Sequence, residues 1–266
     1  MLKLRKPTPV KLGSLIMIYS DHGLGKTYSC GQLDNTFFLL TEDGLSRVVN
    51  KKTGVRPAST MDIEEFDDSK GILTDFDDIK KVLESLAGDT QGFKNIVIDS
   101  LPGLEQALLS NFNKGKDAKD QYPGAFYSGR PAFKSDCFKF FTRLKEVFCS
   151  QGINVIFTAH AKQETRDEVD GNNYPRQTFI CEKTVAEALY SALDSCWYLQ
   201  NKLVVNSDTG KVLNVGEKIL RMADHPAYHV KTRSLMDVPE SIPFDLGRAL
   251  DMANAAIPVK EVNQKQ

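Results

Sequence analysis

Along this chain, unbroken apolar runs of strand length alternate with stretches of helical periodicity. Leu15-Ile16-Met17-Ile18-Tyr19, Phe37-Phe38-Leu39-Leu40, Ile96-Val97-Ile98 and Val155-Ile156-Phe157 show no in-out alternation. Runs of that kind predict strands buried on both faces, as in a parallel sheet covered by helices. Cys196-Trp197-Tyr198-Leu199 reads as a fifth strand. Between them, Phe76, Ile79, Val82 and Leu83 recur at helical spacing within residues 74–86, with Thr74 or Asp75 as the N-cap. Further helices are predicted over residues 25–32, through Leu104, Leu108 and Leu109, and over residues 133–149. Residues 202–233 carry short runs interrupted by Asp208-Thr209-Gly210 and His225-Pro226, a pattern of β-hairpins. The class is therefore α/β, with a mostly parallel central sheet flanked by helices and C-terminal β-hairpins. One domain is expected over residues 1–250, followed by a polar tail over 251–266, with no internal repeat.

Composition narrows the class of partner. The 266 residues carry a formal net charge of -1, so no global field attracts the molecule to nucleic acid or anionic lipid, and such affinity needs a local patch. Five scattered cysteines without a Cys-x-x-Cys pair argue against a disulfide framework or a zinc site and fit a reducing cytoplasm. The basic start Met1-Leu2-Lys3-Leu4-Arg5-Lys6-Pro7 is not followed by a long apolar segment, and the run Leu15 to Tyr19 is too short to cross a bilayer. No membrane partner is expected.

The segment Ser20-Asp21-His22-Gly23-Leu24-Gly25-Lys26-Thr27-Tyr28 lies between the first apolar run and the first helix. That is the context a phosphate-binding P-loop requires. Its glycines let main-chain N–H groups turn toward phosphate oxygens, Lys26 reaches the β- and γ-phosphates, and the Thr27 hydroxyl is a ligand for Mg²⁺. Ser20 stands where this motif ordinarily has its first glycine. The competing reading, an incidental glycine-rich turn, loses ground to a second motif, Asn95-Ile96-Val97-Ile98-Asp99-Ser100. There an apolar strand ends in a carboxylate suited to the same Mg²⁺. ATP and Mg²⁺ are the expected cofactors.

Hydrolysis also needs a group acting on water. Glu42 follows the strand Phe37 to Leu40, which is expected to lie beside the P-loop strand. It is the favoured general base, with Asp43 as second choice and a solvated acidic turn as the plain alternative. His160, just past the strand ending at Phe157, is placed to sense the γ-phosphate or simply to bond within the structure. His225 and His229 are four apart, but Pro226 breaks the helix that a shared metal face would need.

The order of these motifs resembles the RecA-like ATPase core. It runs from Phe37-Phe38-Leu39-Leu40-Thr41-Glu42 through Ile96-Val97-Ile98-Asp99-Ser100 and Val155-Ile156-Phe157-Thr158-Ala159-His160 to Val230-Lys231-Thr232-Arg233. It looks most like the short phage-encoded RecA-like proteins of the Sak type, from the first strand to about Pro243-Phe244-Asp245-Leu246. The resemblance implies that Glu42 activates water and that His160 occupies the place of a glutamine linking the γ-phosphate to a DNA-binding loop. It also implies that Lys231 and Arg233 reach the nucleotide of a neighbouring subunit. Taken alone, Val230-Lys231-Thr232-Arg233 reads as a strand with solvated basic residues. By the same resemblance the chain would self-associate into a ring or filament, anneal or exchange single-stranded DNA, and work with a single-strand binding protein in a bacterial cytoplasm.

Residues 114–146 give independent support for nucleic acid, because eight Lys and Arg oppose four Asp and Glu there. Lys116, Lys119 and Arg130 interleave with Tyr122, Phe126 and Tyr127, as a single-strand stacking surface requires. A second candidate is a loop over residues 162–179 with Lys162, Arg166, Tyr174 and Arg176, balanced by Glu164, Asp167, Glu168 and Asp170. Two rivals share the P-loop: a small-molecule kinase, for which Arg166 and Arg176 are the nearby lid arginines, and an ATP-gated assembly switch.

Overall fold

The computed structural model describes residues 12–65, 71–124, 128–167, 171, 173–207, 209–233 and 237–254. Strand β1 (Leu15–Ser20) is central, paired in parallel with β5 (Asn154–Asp167) on one side and β7 (Ser195–Val205) on the other. Beyond β5 come β4 (Asn95–Asp99), β2 (Thr36–Leu40) and β3 (Ala58–Ser59), all parallel. Beyond β7, β8 (Val212–Arg221) and β10 (Ser241–Pro243) continue the sheet antiparallel. β6 (Asn173–Phe179) pairs with β5, and β9 (Lys231–Thr232) with β7. The mixed, mostly parallel sheet flanked by helices is the class the apolar runs predict.

The reason those runs do not alternate is visible in the packing. Leu15, Met17 and Tyr19 face one core, while Ile16 and Ile18 face another. Helices α2 (Phe76–Gly88), α3 (Leu101–Asn113), α4 (Arg130–Val147) and α5 (Lys183–Ala192) cover the first face. The second is covered by α1 (Lys26–Cys30), the segment around Leu45 and Val48, and α6 (Leu246–Ala253). Trp197 is fully buried in this second core, and its indole N–H donates to Thr232 Oγ1 at 2.9 Å. Truncating such a residue costs about 3–5 kcal/mol.

Helix α2 starts at Phe76 with Asp75, one of the two expected residues, as its N-cap, the side chain accepting from Asp77 N at 2.7 Å. Several other elements differ from the sequence pattern. Helix α1 ends at Cys30 rather than near Gln32. Gln32 and Leu33 fold back with N–H bonds to Ser29 O and Cys30 O, both 3.2 Å, tightening the last turn. A side chain at Gly31 would strike Val48 Cγ1 at 2.5 Å, so close packing there requires glycine. The segment expected to be a loop over residues 162–179 is a hairpin, built from the second half of β5 and all of β6 in a regular antiparallel register. Helix α6 continues past the point where the polar tail was expected to begin, because Leu246, Ala249 and Leu250 are buried under the sheet.

At the end of the sheet where the parallel strands begin, one asparagine network ties the strands together. Asn154 Nδ2 donates to Asn95 Oδ1 at 2.9 Å, and Asn154 Oδ1 accepts from Ser14 N at 3.1 Å and Asn254 Nδ2 at 3.0 Å. Ser14 Oγ closes the circuit by donating to Asn254 Oδ1 at 2.6 Å. All five cysteines are free and buried. Among the described residues no helix is long and apolar enough to cross a membrane.

Candidate nucleotide site

At the opposite end of the parallel strands, the chain leaves β1 and turns through Asp21-His22-Gly23-Leu24-Gly25 into α1. Gly23 (φ 75°) and Gly25 (φ 90°) occupy the left-handed region, which is why glycine stands at these two positions. Lys26 is almost wholly buried, and its ammonium lies back in the loop. It donates to Ser20 Oγ (2.9 Å), Ser20 O (3.2 Å) and Asp21 O (3.3 Å). Ser20 therefore has a physical role that glycine lacks, because its hydroxyl is an acceptor for the P-loop lysine. Lys26 Nζ also stands 3.3 Å from His160 Nδ1; an ammonium only donates, so that ring nitrogen is the acceptor of a neutral imidazole. Burial lowers the Lys26 pKa, opposed by the negative charges of Asp99, Glu42 and Asp21.

Asp99 lies across the cleft at the end of β4 and is 2% exposed. Its Oδ1 accepts from Thr158 Oγ1, while Oδ2 is buried without a hydrogen-bond partner. Burial pushes its pKa up; the neighbouring hydroxyls of Thr158 and Thr27 oppose that, Glu42 adds to it, and Lys26 opposes it. An orphaned carboxylate oxygen in a buried place is costly unless a cation or donor completes it. Gly44 leaves room for one: a Cβ there would stand 3.3 Å from Asp99 Oδ2 and 3.6 Å from Thr27 Oγ1. Thr27 and Asp99 are thus a donor set that fits a hard divalent cation, one hydroxyl and one carboxylate with space beside them.

Glu42 reaches this cleft by a different route from the one expected. Strand β2 is not beside β1; β5 and β4 lie between them. The link is Thr41, whose N–H donates to Asp99 O at 2.8 Å and whose Oγ1 accepts from Ser100 N at 2.8 Å and donates to Ser100 O at 2.7 Å. That stitch holds the β2 end level with the β4 end, and exposed Glu42 lines the same cavity of about 210 Å³ as Lys26, Thr27, Tyr28, Asp99 and His160. A wider cleft of about 940 Å³ lies at the other end of the sheet around Asn95, Asn154 and Asn254, away from these groups.

The rings of His160 and His22 stack at 3.5 Å between centroids. Burial, then the nearby charges of Lys26 and His22, hold the His160 pKa below its usual value, with Glu42 opposing. The parallel register sets Ser20 opposite His160, so β5 delivers this histidine directly to the loop.

The other expected site residues fall elsewhere. Lys231 and Arg233 donate to the carbonyls of Tyr190 and Ser191, the latter at 3.1 Å, at the C-terminal end of α5. β9 aligns Lys231 with Cys196, itself level with Met17, three residues before the P-loop, so neither cation reaches the nucleotide cleft of its own chain. Tyr122 is not a free stacking platform. Its ring packs on Phe133 at 4.7 Å, its hydroxyl bonds Glu182 and Thr184, and Asn113 holds its main chain at 2.7 and 3.1 Å. Arg176 is also buried, its Nη2 donating to Tyr228 O at 3.3 Å. Arg130 bonds Thr184 Oγ1 at 3.2 Å and pairs with Glu187 at 3.6 Å. Lys116 sits over the Phe112 ring at 3.0 Å, and exposed Lys119 remains on the same turn-rich segment. Phe126 and Tyr127 lie outside the described residues. Lys162, Arg166 and Tyr174 are on the β5–β6 hairpin, where Arg166 is directly opposite Tyr174 and Lys162 Nζ donates to Cys181 O at 3.3 Å. His225 and His229 bond locally, to Ala227 N (3.1 Å) and Thr178 Oγ1 (3.0 Å). Sequence reasoning missed Thr158 as the partner of Asp99, Gly44 as the gap beside it, and Lys218, which bonds the P-loop from β8.

A phosphate loop after the central strand, with a buried carboxylate two strands away, defines a P-loop nucleotide-binding protein. Residues 13–234 match the family model described as AAA domain, so the chain belongs to that family of P-loop ATPases. No curated protein matches it.

Proposed function

We propose that this ATPase has a RecA-like core of the short phage Sak type and couples ATP turnover to single-stranded DNA through the β5–β6 hairpin. One observation carries the reading. Strand β5 runs without a break from Thr158 and His160, in the nucleotide cleft, into the exposed residues Lys162–Asp167. A change at the γ-phosphate is therefore transmitted along one continuous strand to a projecting surface with Lys162, Arg166 and Tyr174. In this scheme the loop amides and Lys26 hold the triphosphate, and Thr27 and Asp99 would hold Mg²⁺. When bound, the metal would supply charge neutralisation to the phosphates. Glu42 orients and deprotonates water, and His160 donates to or releases the γ-phosphate. Lys231 and Arg233 would leave the α5 carbonyls to reach a neighbour's nucleotide, making hydrolysis depend on a ring or filament.

The test is turnover with and without single-stranded DNA at low salt, with assembly state measured in parallel. Stimulation that vanishes as salt rises supports the reading, and a turnover indifferent to DNA at low salt overturns it. A second reading, an ATP-gated assembly switch, is favoured by the exposed apolar residues Leu203, Val204, Val205 and Val212 on the β7–β8 hairpin. It predicts nucleotide-dependent association without DNA and function that survives Glu42→Gln but not Lys26→Ala.

A further inference from the structure

The P-loop is gripped from outside its own motif. Lys218 Nζ, on β8, donates to the main-chain oxygen of Leu24 at 2.8 Å across a sequence separation of 194 residues. The same ammonium lies 3.6 Å from where a Cβ on Gly25 would stand. In a trans peptide the carbonyl of one residue and the N–H of the next point in opposite directions. With the Leu24 oxygen drawn toward Lys218, the Gly25 N–H faces away from β8.

The strand is shaped to place this lysine. The β7–β8 ladder pairs Asn201 with Lys218 and then Leu203 with Asn214, so β8 spends four residues where β7 spends two. Gly216 lies within that bulge at φ 75°. Bulges re-aim side chains and are common beside active sites. On its other side Lys218 is anchored by its own carbonyl, which accepts from Phe244 N at 2.9 Å. The lysine is half-buried, so its stem is held by packing while its head meets the loop.

We propose that Lys218 is a positioning residue of the nucleotide site. By holding the Leu24 carbonyl on the outer side of the P-loop, it presets the Gly25 N–H toward the phosphates. It also makes the β7–β8 hairpin mechanically continuous with the nucleotide. This rests on the nucleotide site alone and is independent of the DNA reading.

The experiment compares Lys218→Met, which keeps the stem and removes the donor, with Lys218→Arg, which keeps a donor. Two quantities are read: the Gly25 amide resonance in nucleotide-free, ¹⁵N-labelled protein, and the Kd for Mg-ADP by calorimetry. Losing one charged hydrogen bond that preorganises the loop corresponds to roughly a tenfold weaker Kd in Lys218→Met. The Gly25 amide should shift in that variant and return toward its wild-type position in Lys218→Arg, with affinity largely restored. An unmoved Gly25 amide together with wild-type affinity in Lys218→Met overturns the proposal. So does an Arg variant that is as weak as the Met variant despite unchanged melting. Should Lys218→Met not fold, Lys218→Gln against Lys218→Arg makes the same comparison. Failure of the wild-type chain to take up Mg-ADP would strike the nucleotide site itself, while the amide shift in the empty protein would still decide the role of Lys218.

Discussion

Both ends of the parallel strands carry buried polar side chains, yet they are completed differently. At one end Ser14, Asn95, Asn154 and Asn254 satisfy one another in a neutral network. At the other, a buried carboxylate oxygen of Asp99 and the hydroxyl of Ser100 have no partner, and Lys26 is buried beside them. The first arrangement is finished and stabilises the fold; the second leaves buried polar atoms that a cation or phosphate would complete. Size does not make this distinction, because the wider cleft lies at the finished end. Unsatisfied charge does.

If that contrast is right, substitutions at the two ends separate into losses of binding and losses of stability. The largest effect is expected from Lys26→Ala, which removes the only motif cation and should weaken Mg-ATP by roughly 100-fold or more, read by calorimetry. Glu42→Gln should lower turnover by about 10²–10³-fold while leaving the Mg-ATP Kd near wild type, and unchanged turnover would remove Glu42 from the chemistry. Asn154→Ala tests the finished end. It removes the bonds of Asn95 Oδ1, Ser14 N and Asn254 Nδ2 to Asn154 and should cost about 2 kcal/mol in urea unfolding, with no change in nucleotide affinity. Gly44→Ala should raise the Mg²⁺ concentration needed for tight ATP binding by about tenfold, since a methyl would crowd two oxygens that the cation needs. A Mg²⁺ titration followed by nucleotide binding checks it.

The smallest effect concerns pH. The folded pKa of His160 lies below its unfolded value, so the unfolded chain binds this proton more readily. The contribution of His160 to stability is thus whole above the ordinary histidine range and declines as pH falls through it. Unfolding measured from pH 7 downward should show a shallower slope in His160→Gln than in wild type. Identical slopes would mean that the ring is already paired as well when charged.

The open end was largely legible in the sequence, because a P-loop is a contiguous motif and Ile96-Val97-Ile98-Asp99 is an apolar run with a conspicuous end. The strand runs were legible for the same reason. What escaped has a common cause in contacts that cross the chain. The place of β2 depends on the order of strands, which no run of apolar residues declares. Lys218 is one lysine in a strand, and only the fold brings it to Leu24. The hairpin arm of β5 and β6 is polar on both faces and gave no period-two signal. Tyr122 and Arg176 looked like nucleic-acid contacts because their type suits one, but tertiary partners claim both side chains.

The length of β5 has a mechanical consequence. From Ala161 to Asp167 the strand extends roughly 20 Å beyond the cleft at about 3.3 Å per residue, stiffened by β6 alongside it. Pivoting such a rod by about 5° at its base would sweep the tip through nearly 2 Å, the geometry of a lever with gain. Under the proposed coupling, a displacement at His160 too small to disturb the packed core would be magnified at the tip into one large enough to engage or release a bound surface.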